Sequence, residues 1–155
     1  MKAITGGSWS SDSGDNGIEY DHSNLQGALV AWLRVHQREW NIRALPEQRV
    51  QVAVGRYRIP DVCVVTRDYP IEPVFKQAPL ICIEILSRDD TLRTMKERID
   101  DYRRLGVPHI RILDPGSRQA WICTRTGVKK LAGTVLTVPG TPIKLDLTRI
   151  FGDLD

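Results

Sequence analysis

No stretch of this chain approaches the ~20 consecutive apolar residues that cross a bilayer. Leu80 to Leu86, among its longest apolar runs, is interrupted by Glu84, so no membrane segment is expected. Cysteine is scarce: Cys63, Cys82 and Cys123 are odd in number, lie in apolar strand-like runs and show no C-x-x-C spacing. That argues against a disulfide framework or a zinc site and for small buried side chains. The opening Met1-Lys-Ala-Ile-Thr lacks the charged, apolar and small-residue succession of a secretory signal, and a cytoplasmic location is expected. Charge of one sign is also lacking, since 22 Lys and Arg against 19 Asp and Glu leave a formal net charge of +3. Such an excess permits nucleic-acid binding without indicating it. There is no G-x-x-x-x-G-K-[ST], no G-x-S-x-G, and no ligand spacing among His22, His36 and His109, which read as packing or capping residues.

What is present fits one domain. A chain of 155 residues with 41% hydrophobic content buries about two-thirds of its unfolded surface around a single core. Residues 1–17 are rich in Gly, Ser and Asp without apolar period and read as a flexible tail, leaving 18–155 as the domain. From Asp21 onward Leu25, Ala28, Leu29, Trp32 and Leu33 recur at helical spacing. After Pro46, Val50, Val52 and Val54 alternate, Gly55-Arg56 suits a two-residue turn, and Tyr57 to Val65 reads as the returning strand of a hairpin. Pro79 to Ser87 reads as a strand, with Ile81, Ile83 and Ile85 on one face and Cys82, Glu84 and Leu86 on the other.

A second helix follows, burying Leu92, Met95, Ile99, Tyr102 and Leu105 and stopping at Gly106. Its charges are interleaved, Arg93, Lys96, Arg98, Arg103 and Arg104 among Asp and Glu, as on a solvated face. His109 to Leu113 is a strand, and 119–124, 128–131 and 135–138 read as a meander. The expected class is α/β, a mixed central sheet flanked by helices with a C-terminal β-meander.

Two carboxylates interrupt the strand pattern. An acid at an apolar strand position is costly to bury unless it is paired or bound to metal. Antiparallel pairing across the Pro70 to Pro79 connection, in the register that opposes Cys63 with Cys82, sets Asp61 opposite Glu84 on one face. A two-residue shift satisfies the same alternation. The bland explanation is a salt bridge from Arg58 or Arg88 to Glu84, with Asp61 accepting backbone hydrogen bonds. The sharper one is a hard divalent cation held through oxygen ligands, with a nearby ammonium assisting attack on a phosphate. Lys96, at 40° around the helix from Leu92 and about 60° from Ile99, borders the buried stripe. It either leans toward the acids or runs its stem along the core edge into water.

The ordered set Ile59-Pro60-Asp61, Cys82-Ile83-Glu84-Ile85-Leu86-Ser87, Lys96 with Tyr102, Gly106-Val107-Pro108 and Leu113-Asp114-Pro115 resembles the Uma-two family of restriction-endonuclease-like proteins. The resemblance runs from near His22 to Ile150-Phe151. It implies the PD-(D/E)XK nuclease superfamily, its restriction-endonuclease-like core, Mg²⁺ or Mn²⁺ dependence and hydrolysis of phosphodiester bonds in a DNA substrate, with a homodimer allowed. By position, Asp61 and Glu84 match the two acids, and the Ile85 carbonyl is a further metal ligand. Leu86 stands where the superfamily usually has lysine, so Lys96 would substitute from the helix. The alternative is a degenerate nuclease fold serving as a nucleic-acid-binding or protein-interaction module, to which Leu86 points.

Overall fold

In a computed structural model that describes residues 16–155, the chain enters through helix α1 (Asn16–Val35). Most of the segment read as a tail lies outside the described residues. Leu25, Leu29 and Leu33, one per turn, are fully buried, which is the stripe the spacing indicates. The helix starts at Asn16 rather than near Asp21. Its added first turn carries Glu19, an acid at the positive end of the helix, and no apolar stripe that periodicity would register.

Strand β1 (Ile42–Pro46) was not expected, because Pro46 reads as a terminator. It is the last residue of an edge strand, where a missing N–H does no harm. The hairpin of β2 (Val50–Ala53) and β3 (Arg56–Arg58) turns through Gly55 at φ 68°, as the alternation indicates. The returning strand does not run through to Val65, however. Pro60 ends it, and β4 (Val62–Thr66) starts afresh in the central sheet while β2 and β3 form a small sheet of their own.

Next come β5 (Ile81–Ile85), α2 (Leu92–Leu105), β6 (His109–Asp114), β7 (Gln119–Cys123), β8 (Val128–Lys130), β9 (Val135–Thr137), β10 (Lys144–Asp146) and α3 (Leu147–Gly152). The six-stranded sheet has the order β1-β4-β5-β6-β7-β8. Within this sheet, among the described residues, only β5 and β6 pair in parallel, because α2 carries the chain back between them. The expected meander stops at β8, and β9 pairs with β10 as a C-terminal hairpin. Pro139-Gly140-Thr141-Pro142 is the cause: this turn, closed by the Thr141 N–H on the Val138 carbonyl, couples β9 to the strand after it.

Both faces of the sheet are covered. One packs Ile81, Ile83 and Ile85 against Leu29 and Leu33 of α1 and Ile150 and Phe151 of α3. The other packs Cys63, Cys82 and Leu86 against Met95, Ile99 and Tyr102 of α2 and Val50 and Val52 of the hairpin. Helix α2 begins in a reciprocal capping box between Thr91 and Thr94 and ends on Gly106 at φ 95°. Among the described residues no helix is long and apolar enough to cross a membrane.

Candidate active site

Strands β4 and β5 pair with Val62 opposite Ile83, Cys63 opposite Cys82 and Val64 opposite Ile81. One rung further, where Pro60 interrupts the chain, Asp61 and Glu84 face one another in the expected register. Each acid is held by the other's strand. The Asp61 N–H donates to Glu84 Oε2 at 3.1 Å, and the Ile85 N–H donates to Asp61 Oδ2 at 2.7 Å. Helix α1 fixes the same bend, its Gln26 side chain donating to the Asp61 carbonyl at 2.8 Å. The acids open into a cleft of about 370 Å³ between the sheet, α1, the hairpin and α2.

Among the described residues, the cation that reaches Glu84 is Arg98. Its Nη1 lies 3.3 Å from Glu84 Oε1 and 3.0 Å from Asp90 Oδ1. Asp90 is buried and is braced in turn by the Ser87 N–H at 2.9 Å. Neither Arg58 nor Arg88 is the partner of Glu84: Arg58 bonds Asp101 and Arg88 approaches Glu19. Lys96 does not enter the site. It is 57% exposed, with its Nζ 2.8 Å from Asp100 one turn along α2. Helix phase explains the exchange. Lys96 borders the buried stripe on its Leu92 and Ile99 side, whereas Arg98 lies about 60° from Met95 and about 40° from Tyr102, on the side that faces Glu84. The same geometry, applied to every cation of α2, would have found it in the sequence.

His22 had read as a packing or capping residue. It lies in the cleft instead, with Nε2 3.3 Å from Asp61 Oδ1. The hydrogen bond to Asp61 raises its pKa against the opposing effect of burial, and a bond to the Ile85 backbone adds to the rise. No sequence signal distinguishes His22, which needs only α1 to dock over β4. Glu84 is 2% exposed, and its pKa is pushed up to about 8, first by burial and then by the neighbouring Asp61 charge, against the pull of Arg98. A second positive charge at this point would relieve that strain.

The donors suit a hard divalent cation: two carboxylates on one face, with Ile85 lining the same cleft. Among the described residues, no group of three or more His, Cys, Asp or Glu side chains is arranged to hold a metal ion. A carboxylate pair completed by a backbone carbonyl is not such a group, and the donor set fits oxygen coordination of that kind.

A mixed sheet whose paired strands bring two acids to one face, with a cation from the crossover helix, is the arrangement of a PD-(D/E)XK-like nuclease fold. The sequence model of the Uma2 family, described as "Putative restriction endonuclease", matches residues 16–148, and the chain belongs to this family. No curated protein matches the sequence. Among solved structures, the fold is similar to that of a protein described as a "putative nuclease belonging to DUF820" from Anabaena variabilis ATCC 29413. The two share 21% identity over 86% of this chain and 82% of that one, with a TM-score of 0.75. A chain of the DrdV–DNA complex aligns with 13% identity over 89% of this chain and 13% of that one, at a TM-score of 0.47.

Proposed function

We propose that this protein hydrolyses phosphodiester bonds in DNA with Mg²⁺ or Mn²⁺, and that Asp61, Glu84 and the Ile85 carbonyl hold the ion. The observation that carries the reading is the reciprocal bonding of Asp61 and Glu84 across β4 and β5, which aims two acids and Arg98 into one cleft. When bound, a divalent cation neutralises charge on the phosphate and makes a water molecule a stronger acid. The protein's groups supply the rest. The two backbone amides fix the carboxylates before substrate arrives, so little reorganisation is needed during reaction. Arg98 offers a planar, permanently charged donor to the phosphate as charge accumulates on it. His22 Nε2–H points at Asp61 Oδ1 and holds that carboxylate in place. We place the activity in the cytosol, in keeping with three buried free thiols.

The test is cleavage of plasmid, linear duplex and single-stranded DNA by purified protein with Mg²⁺ or Mn²⁺, and with EDTA as control. Cutting that requires the ion and disappears in both Asp61→Asn and Glu84→Gln is the expected result. Cutting that survives both substitutions removes the acids from the site. Leu86, buried where the superfamily usually has lysine, favours the second reading, a non-catalytic binding module. DNA bound by the wild type but cut under no condition would support that reading.

A further inference from the structure

We infer that the β2–β3 hairpin forms a stacking lip for an unpaired nucleotide beside the acid pair, so that the substrate strand is single-stranded where it is cut. The inference rests on the hydrolytic reading for what happens next to the lip, though binding at the lip is independent of it.

Three observations converge. Alternation along β3 sends Arg56 and Arg58 to one face, where their Nε atoms hold the buried Asp101 carboxylate at 2.9 and 2.6 Å. Tyr57, between them, is therefore turned to the opposite face by a strand pinned to α2. It is 48% exposed and lines the same cleft as Asp61 and Glu84. The lip is also apolar at its centre and basic at its edge. Ile59, 49% exposed, lines the cleft next to Tyr57, and the Arg49 guanidinium carbon lies 6.0 Å from the Tyr57 ring centroid. Finally, the lip and the acids lie in one cleft of about 370 Å³, whose other walls are α1 and α2.

An aromatic ring flanked by a guanidinium and an aliphatic side chain is a surface for the flat face of a base, with the cation near the adjoining phosphate. Bases inside a duplex have no free face to offer it. A strand with an unpaired base has one, and a base stacked on Tyr57 places the neighbouring backbone toward Arg98 and the acids. The ring is held by β3 in advance, so stacking orders little of the protein.

The experiment is fluorescence anisotropy with labelled single-stranded and fully paired oligonucleotides, using the full chain with Ca²⁺ in place of Mg²⁺. The single strand should bind more tightly than the duplex. Tyr57→Ala should weaken single-strand binding on the order of tenfold, as expected for one base stack, and Tyr57→Phe should restore most of it. Arg49→Gln should weaken binding in the same direction and reduce its salt dependence. Thermal unfolding of each variant shows whether the fold is kept; Tyr57→Phe and Arg49→Gln carry the test if Tyr57→Ala unfolds. Duplex bound as well as single strand, Tyr57→Ala binding like wild type, or wild type binding neither oligonucleotide overturns the inference. Single-strand binding that depends on Tyr57, with no cleavage under any condition, leaves the lip standing and refutes the hydrolytic reading.

Discussion

Glu84 sets the behaviour of the site at the scale of single residues, because its folded pKa of about 8 stands well above the ordinary carboxylate value of 4.5. Between those values the folded protein keeps a proton that the unfolded chain has released, so stability falls as pH rises through that window. His22, whose pKa is also raised in the fold, contributes stability below its ordinary 6.5 that is lost as pH climbs past its folded value, which is the same direction. Metal-free protein should therefore lose a few kcal/mol between about pH 5 and pH 8. Thermal unfolding across that range should show the slope, Glu84→Gln should flatten it, and Mg²⁺ should restore stability at the alkaline end. Under the proposed mechanism, Arg98→Ala should cut turnover by about 10²- to 10³-fold with a smaller change in metal affinity, measured by single-turnover kinetics and titration calorimetry. Lys96→Ala should cost under ~1 kcal/mol of stability, the worth of an exposed pair, and leave cleavage near wild type. The two acids were legible in the sequence because each breaks an apolar alternation. Arg98 was obscured by the interleaved charges of α2, where only the side of the stripe on which a cation falls separates it from Lys96.

Among elements, the junction between α2 and the hairpin is held by charge as much as by apolar packing. Asp101 is buried, and burial alone would raise its pKa, but bonds from Arg58 and Arg56 outweigh that and hold it below the usual carboxylate range. Asp101→Ala leaves these arginines without their acceptor. The arginines are partly exposed, so water recovers some of the loss, and about 1–3 kcal/mol is expected in urea unfolding. The same variant should loosen the hairpin first, visible as faster amide exchange in Val50–Arg58 than in β5. Thr91→Ala, which removes the capping box at the start of α2, should cost about 1 kcal/mol. Helix α2 was legible almost to its ends from a period and a terminal glycine. Strand β1 was not, because its one strong signal, Pro46, has opposite meanings at a sheet edge and in a loop. Of the two carboxyl-terminal hairpin strands β9 was visible and β10 was not, and their pairing depends on a turn whose reach local patterning does not reveal.

Across the whole molecule, β5 is covered on both faces, and the site sits where it meets β4 and the start of α1. Leu29, fully buried in α1 against this sheet, is therefore a remote lever on the chemistry. Leu29→Ala should destabilise the fold by about 2–5 kcal/mol in chemical denaturation. The α/β class followed from the order of helices and strands and the two-faced pattern of β5 from alternation, whereas the Asp61 to Glu84 register was one of the registers that alternation allows. The independence of the β2–β3 sheet did not, since it turns on Pro60 denying β3 and β4 a continuous run of amide donors. The reciprocal bonds at Asp61 and Glu84 have one more consequence. Each carboxylate is both a member of the proposed site and the stitch that finishes the hem of β4 and β5. A variant without the proposed chemistry would still need an oxygen acceptor at both positions to keep that hem closed. Asn and Gln supply one at little cost and Ala does not. Loss of the proposed chemistry would thus run through amides, leaving the outline of the acid pair in a fold that keeps its hem.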